Sequence, residues 1–167
     1  MSWNRLGMIA AAVAVSLVAT SFTALSQGKG VLTQKALSLD MAITIVQGAL
    51  EKCRADNYRV SVQVLDGSGL PKATARDDGS GQVNYEVSRR KAFTALTYKR
   101  PSADMEKAWA TMSPGRIIEG TIGVGGGLPI MAGSELIGAV GVGGAPGADK
   151  DEACAAAGLA KVADQLK

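Results

Sequence analysis

The chain has 167 residues, 47% hydrophobic and 20% charged, with 21 glycines and no histidine. This length suits one ordinary domain and the apolar content excludes disorder and collagen-like repeats, while the missing histidines exclude Ser-His and Cys-His catalytic pairs, His-ligated metals and imidazole proton transfer. A formal charge of +3 is too small and too evenly spread for a nucleic-acid surface, and 4% aromatic residues leave little for base stacking.

The N-terminus reads as a signal peptide. Trp3, Asn4 and Arg5 form a short polar segment with one positive charge, and Leu6 to Ala19 is an unbroken run of apolar and small residues. Ala24-Leu25-Ser26 then places small residues where a signal peptidase reads them, so cleavage is expected between Ser26 and Gln27. The clean apolar run falls short of the roughly 18–20 residues that span a bilayer; an uncleaved anchor, drawing in Thr20 to Leu25, is the second reading. Removing residues 1–26 takes away Arg5 and leaves 17 basic and 15 acidic residues, a charge of +2. The expected location is periplasmic or secreted, without stable membrane insertion after processing. Residues 27–37 are expected as a flexible lead-in and residues 38–167 as a single domain.

Ser38 can cap a helix that begins at Leu39. Leu39, Ala42, Ile43, Val46, Ala49, Leu50 and Cys53 recur at steps of three and four, one apolar stripe, and Asp56-Asn57 ends it. From Arg59 to Asp66 the pattern alternates, with Val60, Val62 and Val64 on one side and Ser61 and Gln63 on the other, which predicts a strand buried on one face. Asp66-Gly67-Ser68-Gly69 is a turn and Leu70 to Arg76 its hairpin partner, confined to an edge by Pro71. A second helix opens near Asn84 and runs to about Thr97, with Ala92, Phe93, Ala95 and Leu96 as its apolar side. Arg89, Arg90, Lys91, Lys99 and Arg100 make this helix basic, either as a solvated face or as a site for an anion. Pro101 stops it, and Ser102 to Met112 predicts a short helix carrying Trp109. Twelve of the 33 residues from Gly115 to Gly147 are glycine. Within them Leu128 to Ala132 and Glu135 to Val142 read as two strands joined at Gly133-Ser134. Asp149 and Asp151 start a C-terminal helix expected to reach about Leu166, with acids at its N-terminal end as the helix dipole prefers.

The motifs of several chemistries are missing. No G-x-x-x-x-G-K-[ST] occurs, G-x-G-x-x-G fails at Leu128 and at Pro146, and a strand rather than a helix follows Gly125-Gly126-Gly127. Gly67-Ser68-Gly69 and Gly79-Ser80-Gly81 lack the outer residues of a nucleophile elbow. Asp77 and Asp78 either bind a hard cation or are solvated loop acids; no metal site is assigned. Tyr85, Tyr98 and Trp109 read as core or interface residues.

Taken together the segments resemble the GlcG/HbpS-like haem-binding proteins. The residues that carry the resemblance are Val64-Leu65-Asp66-Gly67-Ser68-Gly69, Arg76-Asp77-Asp78-Gly79, Lys91-Ala92-Phe93-Thr94-Ala95, Arg100-Pro101-Ser102 and Ser113-Pro114-Gly115. Gly125-Gly126-Gly127-Leu128-Pro129-Ile130, the run Ile137 to Gly144, Asp151 and Ala157-Gly158-Leu159 complete it. The resemblance implies an α/β (α+β), profilin-like fold, a five-stranded antiparallel sheet with helices on both faces, and homo-oligomers. It also implies haem or a related tetrapyrrole as cofactor, in an accessory, sensing or scavenging role. Without histidine, any axial haem ligand must be Tyr, Met, Cys, Lys or a weaker oxygen donor. On physical grounds Lys91, Arg89 and Arg116 are candidates for pairing with propionates, and Tyr85 and Met112 for approaching iron; each also reads as an ordinary structural side chain. In the implied arrangement the first and last helices lie side by side, which brings Cys53 and Cys154 together as a disulfide. Export favours oxidation, and no C-x-x-C spacing points to zinc. Two buried thiols, or pairing between subunits, are the alternatives. No nucleophile–base pair supports catalysis, so a binding protein is favoured over an enzyme or redox accessory acting on a small hydroxy acid or aldehyde beside a dehydrogenase.

Overall fold

The structure, a computed structural model, describes residues 30–112 and 117–167; the expected signal segment 1–26, Ser113-Pro114-Gly115 and Arg116 lie outside the described residues. Gln34–Lys167 form one compact unit. Its first helix, α1 (Leu39–Ala55), starts where the Ser38 hydroxyl accepts a hydrogen bond from the Met41 N–H at 3.2 Å, meeting one of the orphan donors of the first turn. The buried arc is centred on Ala42, Ala49 and Cys53. This phase differs from the expected stripe: Ile45 is fully buried, whereas Leu39 and Ile43 are 52% and 39% exposed. Ile45 lies just inside one edge of the arc and Ile43 just outside the other, while Leu39 opens the helix, where fewer neighbours reach it.

Strands β1 (Ser61–Asp66) and β2 (Pro71–Arg76) form the first hairpin, and β3 (Gly127–Ala132) and β4 (Glu135–Gly143) the second. They assemble into one antiparallel sheet of order β2-β1-β4-β3. Helices α2 (Gln82–Tyr98), α3 (Asp104–Trp109) and α4 (Ala148–Ala160) complete the unit. Val62, Val64, Val140 and Val142 join α1 and α4 residues in the main core, while Leu65 and Ala139 turn the other way onto Ala92, Ala95 and Leu96 of α2. Both sheet faces are therefore covered. Ser61 and Gln63, expected on a solvated face, are completely buried. Being central, β1 lies under α2, and its polar side chains find partners there: the Gln63 amide donates to the Tyr85 carbonyl at 2.8 Å, and the Ser61 and Ser80 hydroxyls meet at 3.1 Å.

Glycine lets α2 come this close. Gly141, opposite Gln63 in the ladder, faces the helix backbone; a Cβ there would overlap the Ser88 carbonyl and lie 2.6 Å from the Ala92 nitrogen. Gly141→Ala is expected to lower unfolding free energy by roughly 1–3 kcal/mol, the usual range for overpacking. A urea midpoint equal to that of the wild type would show that α2 has room to retreat.

The resemblance implied five strands; the described residues contain four. Between α3 and β3 the stretch 118–125 is held by side chains rather than by a neighbouring strand, and Gly126 joins β4 only through its carbonyl, which accepts the Val142 N–H at 2.9 Å. Ile122 N–H donates to the Thr94 hydroxyl at 2.7 Å, the Ser102 hydroxyl donates to the Val124 carbonyl at 2.6 Å, and Gly126 N–H reaches Glu152 at 3.4 Å. Gly120 and Gly126 have φ of +84° and +114°, which bend the chain out of an extended course. The last helix also stops earlier than expected. After Ala160 the bonds tighten to three-residue steps, from Lys161 to Gly158 and from Val162 to Leu159, and this tucks Val162 into the core. Gly133 N–H then binds the Leu166 carbonyl, tying the C-terminus to the β3–β4 turn.

Candidate functional site

The antiparallel register pairs Asp66 at the end of β1 with Gly138 near the start of β4, so the β1–β2 and β3–β4 turns emerge at the same end of the sheet. Asp66 organises the first turn: one carboxylate oxygen accepts the N–H groups of Ser68 at 2.9 Å and Leu70 at 3.1 Å, with Gly69 at φ +81°. The second turn has Gly133 at φ +64°. The lead-in before α1 is pinned beside it, because the Lys35 ammonium donates to the Ala132 carbonyl at 3.2 Å and the Lys35 N–H to Glu135 at 3.3 Å. At the same end α2 finishes on Lys99, whose φ of +55° is left-handed.

These pieces frame a half-open cavity of about 590 Å³, within the roughly 300–1,000 Å³ of small-molecule sites. Lys35, Lys72 and Lys99 bring three ammonium groups to it, Asp66 and Glu135 two carboxylates, and Leu37, Leu136 and Ile137 an apolar part. Its chemistry suits an anionic ligand with some apolar surface. Four separate segments supply these residues, and only Asp66 belongs to a turn visible in the sequence.

Of the residues singled out from sequence as cofactor-binding, the four that are described, Lys91, Arg89, Tyr85 and Met112, do not line this cavity. Lys91, expected on a basic face, is 2% exposed and donates from its ammonium to Asp151 at 2.6 Å; the other Asp151 oxygen accepts the Ala145 N–H at 3.0 Å. Burial pushes the Asp151 carboxyl above the usual range, and the Lys91 ammonium pulls against that rise. Arg89 bonds Glu86 at 2.8 Å, and together with Arg90 holds the Glu86 carboxyl down to about 2. Tyr85 shares the helix with Arg89 four residues away and is 40% exposed; Met112, beyond α3, is 42% exposed. Asp77, considered for a cation, is buried and gripped by the Arg54 guanidinium at 2.8–3.2 Å, which holds its carboxyl below the usual range. Tyr98 and Trp109 meet edge to face, 5.6 Å between centroids.

Cys53 and Cys154 form an intramolecular disulfide between the end of α1 and the first half of α4, with Cα atoms 5.6 Å apart. The helices approach on small residues: a Cβ at Gly48 would stand 3.1 Å from the Gly158 Cα.

Comparison with known proteins gives a consistent picture. The family model described as haem degrading protein HbpS-like matches residues 37–160. Protein GlcG of Escherichia coli strain K12 is 33% identical over 114 residues, spanning 66% of this chain and 83% of that protein. The crystal structure of HbpS is 36% identical and covers 80% of this chain and 96% of its own, with a TM-score of 0.75. A PduOC:heme complex shares the fold at 23% identity and a TM-score of 0.68, over 76% of this chain and 95% of its own.

Proposed function

The chain belongs to the HbpS-like haem-degrading protein family, and from that membership we propose that it is an exported, self-associating protein that binds haem or a related tetrapyrrole in a scavenging, sensing or accessory role. The observation that carries the reading is the family match over 37–160. The cavity at the turn end of the sheet supports it, being of cofactor size, with ammonium groups suited to propionates and Leu136 and Ile137 suited to a ring edge. The donor set does not fit an axially ligated haem iron. Imidazole is absent from the sequence, and among the described residues no Tyr, Met or Cys lines the cavity; its lysines, held as ammonium groups, have no lone pair for iron, and its carboxylates are weak oxygen donors. Recognition therefore falls to the periphery of the macrocycle.

Two features support export: the signal-peptide pattern of residues 1–26, and the Cys53–Cys154 disulfide, a bond typical of oxidising compartments. Self-association is supported by Leu39 and Ile43, one turn apart on α1 and both left exposed.

Titration with haemin tests the reading. The expected result is a saturable, stoichiometric shift of the Soret band, at micromolar or weaker affinity because no strong axial donor contributes. Absorbance that never saturates, and that matches an unrelated protein of similar charge, would remove haem as the ligand.

A further inference from the structure

We infer that the cavity between the two β-turns anchors its ligand by carboxylates, through the ammonium groups of Lys72 and Lys99, so that binding does not require a metal in the macrocycle. This rests on the tetrapyrrole reading above and assigns the site and the recognition chemistry within it.

The argument starts from which charges in the cavity are already committed. Lys35 is held by the Ala132 carbonyl and stands 3.9 Å from the Glu135 carboxylate. Asp66 spends one oxygen on the N–H groups of its own turn. Among the described residues, Lys72 and Lys99 have no ion-pair partner within 4.0 Å. Lys72 on the edge strand and Lys99 at the end of α2 thus line a shared space in which the protein's own carboxylates, Asp66 and Glu135, stand beyond ion-pair distance of both. A dicarboxylate edge supplies the missing anions, and charge-assisted hydrogen bonds of this kind are about twice as strong as neutral ones.

The backbone at Lys99 is an independent observation. Its φ of +55° marks the left-handed position that closes a helix, where glycine is the usual residue because a Cβ is strained. Asn57 is the other non-glycine residue with positive φ among the described residues, and asparagine tolerates that region well. A lysine there serves the fold less well than glycine would, and such strain concentrates where a side chain has a task other than folding. Lys99 is one of the residues that line the cavity.

This separates binding from folding in one substitution. Lys99→Gly relieves the strain, so the melting temperature is expected to stay or rise, while affinity falls about tenfold, the loss of one charge-assisted contact. Lys72→Gln is expected to act similarly, and the double variant to lose about a hundredfold if the two contacts are independent. Three probes complete the test by porphyrin absorbance and tryptophan quenching: haemin, metal-free protoporphyrin IX, and its dimethyl ester. Haemin and protoporphyrin IX are expected to bind within about threefold of each other, and the ester at least about tenfold more weakly. Haemin binding without protoporphyrin IX binding, or a Lys72→Gln/Lys99→Gly variant that binds both as the wild type does, would overturn the inference and leave the tetrapyrrole reading standing. Failure of the wild type to bind any of the three would overturn the tetrapyrrole reading itself, and the inference with it.

Discussion

Asp151→Ala is expected to lower the free energy of unfolding by about 3–5 kcal/mol, the cost of leaving a buried charge without its partner. The Lys91 ammonium has only the Asp151 carboxylate within ion-pair distance among the described residues, at 2.6 Å, and the two side chains are 2% and 5% exposed. The pair links α2, on one face of the sheet, to the first turn of α4, on the other, beside Gly126. A Cβ on that glycine would stand 2.7 Å from the Asp151 Cβ and 3.0 Å from the Lys91 nitrogen. Without Asp151 the ammonium is left buried with no other ion-pair partner among the described residues. Lys91→Met/Asp151→Leu removes both charges and is expected to recover at least about 2 kcal/mol of the loss, although the Ala145 N–H then lacks its acceptor. Chemical denaturation of the three proteins settles it; equal stability of Asp151→Ala and wild type would mean that the pair is solvated.

The pH dependence of this site follows from the raised carboxyl of Asp151. A carboxyl whose native pKa stands above its unfolded value, ~3.9, holds its proton more tightly when folded. Its contribution to stability is therefore largest below the unfolded value and declines as pH rises through the native one. Lys91→Met takes away the cation that opposes the rise, so its destabilisation is expected to shrink as pH falls towards the unfolded value of the Asp151 carboxyl. Asp77 and Glu86 have lowered carboxyls and the opposite sign: their contributions are complete above the unfolded value and fade as acid drives pH down through the native one.

Removing the Cys53–Cys154 bond is the second large effect. The bridged residues are 101 apart in sequence, and for a loop of that size the chain-entropy model allows up to about 4.7 kcal/mol. Extensive packing between α1 and α4 persists without the bond, and thiols or alanines fill most of the same space, so Cys53→Ala/Cys154→Ala is expected to cost about 3 kcal/mol. For a chain of this length that corresponds to a fall in melting temperature of roughly 6–12 °C. Both cysteines are fully buried, so reductant should act slowly on the native protein and quickly once denaturant opens it. Two free thiols in denatured, unreduced protein, or an unchanged midpoint for the double variant, would contradict this.

Periodicity, with capping and turn residues, determined the order and type of the elements. The three- and four-residue spacing from Ala42 to Cys53, the alternation from Val60 to Val64 and the Ser38 cap act within one or two turns of chain, so they are written in neighbouring residues. The four strands are those that alternation and turn residues marked out; the fifth came from resemblance, and the bonds of Ile122, Val124 and Gly126 to side chains replaced it. The tertiary structure decided what distance in sequence conceals. Lys91 looks like one cation among several on a basic helix, and only the arrival of Asp151, sixty residues later, makes it a buried partner. Ile45 rather than Ile43 is buried because the phase of α1 is set by two surfaces, the sheet and α4, and not by its own hydropathy. The disulfide was one of three outcomes that cysteine count and compartment allowed until α1 and α4 met across Gly48 and Gly158. The cavity was the least legible of all. Its cations come from the lead-in, β2 and the end of α2, and its carboxylates from two turns. Their proximity is fixed by the antiparallel register that brings both hairpin turns to one end of the sheet, a long-range pairing that no local pattern encodes.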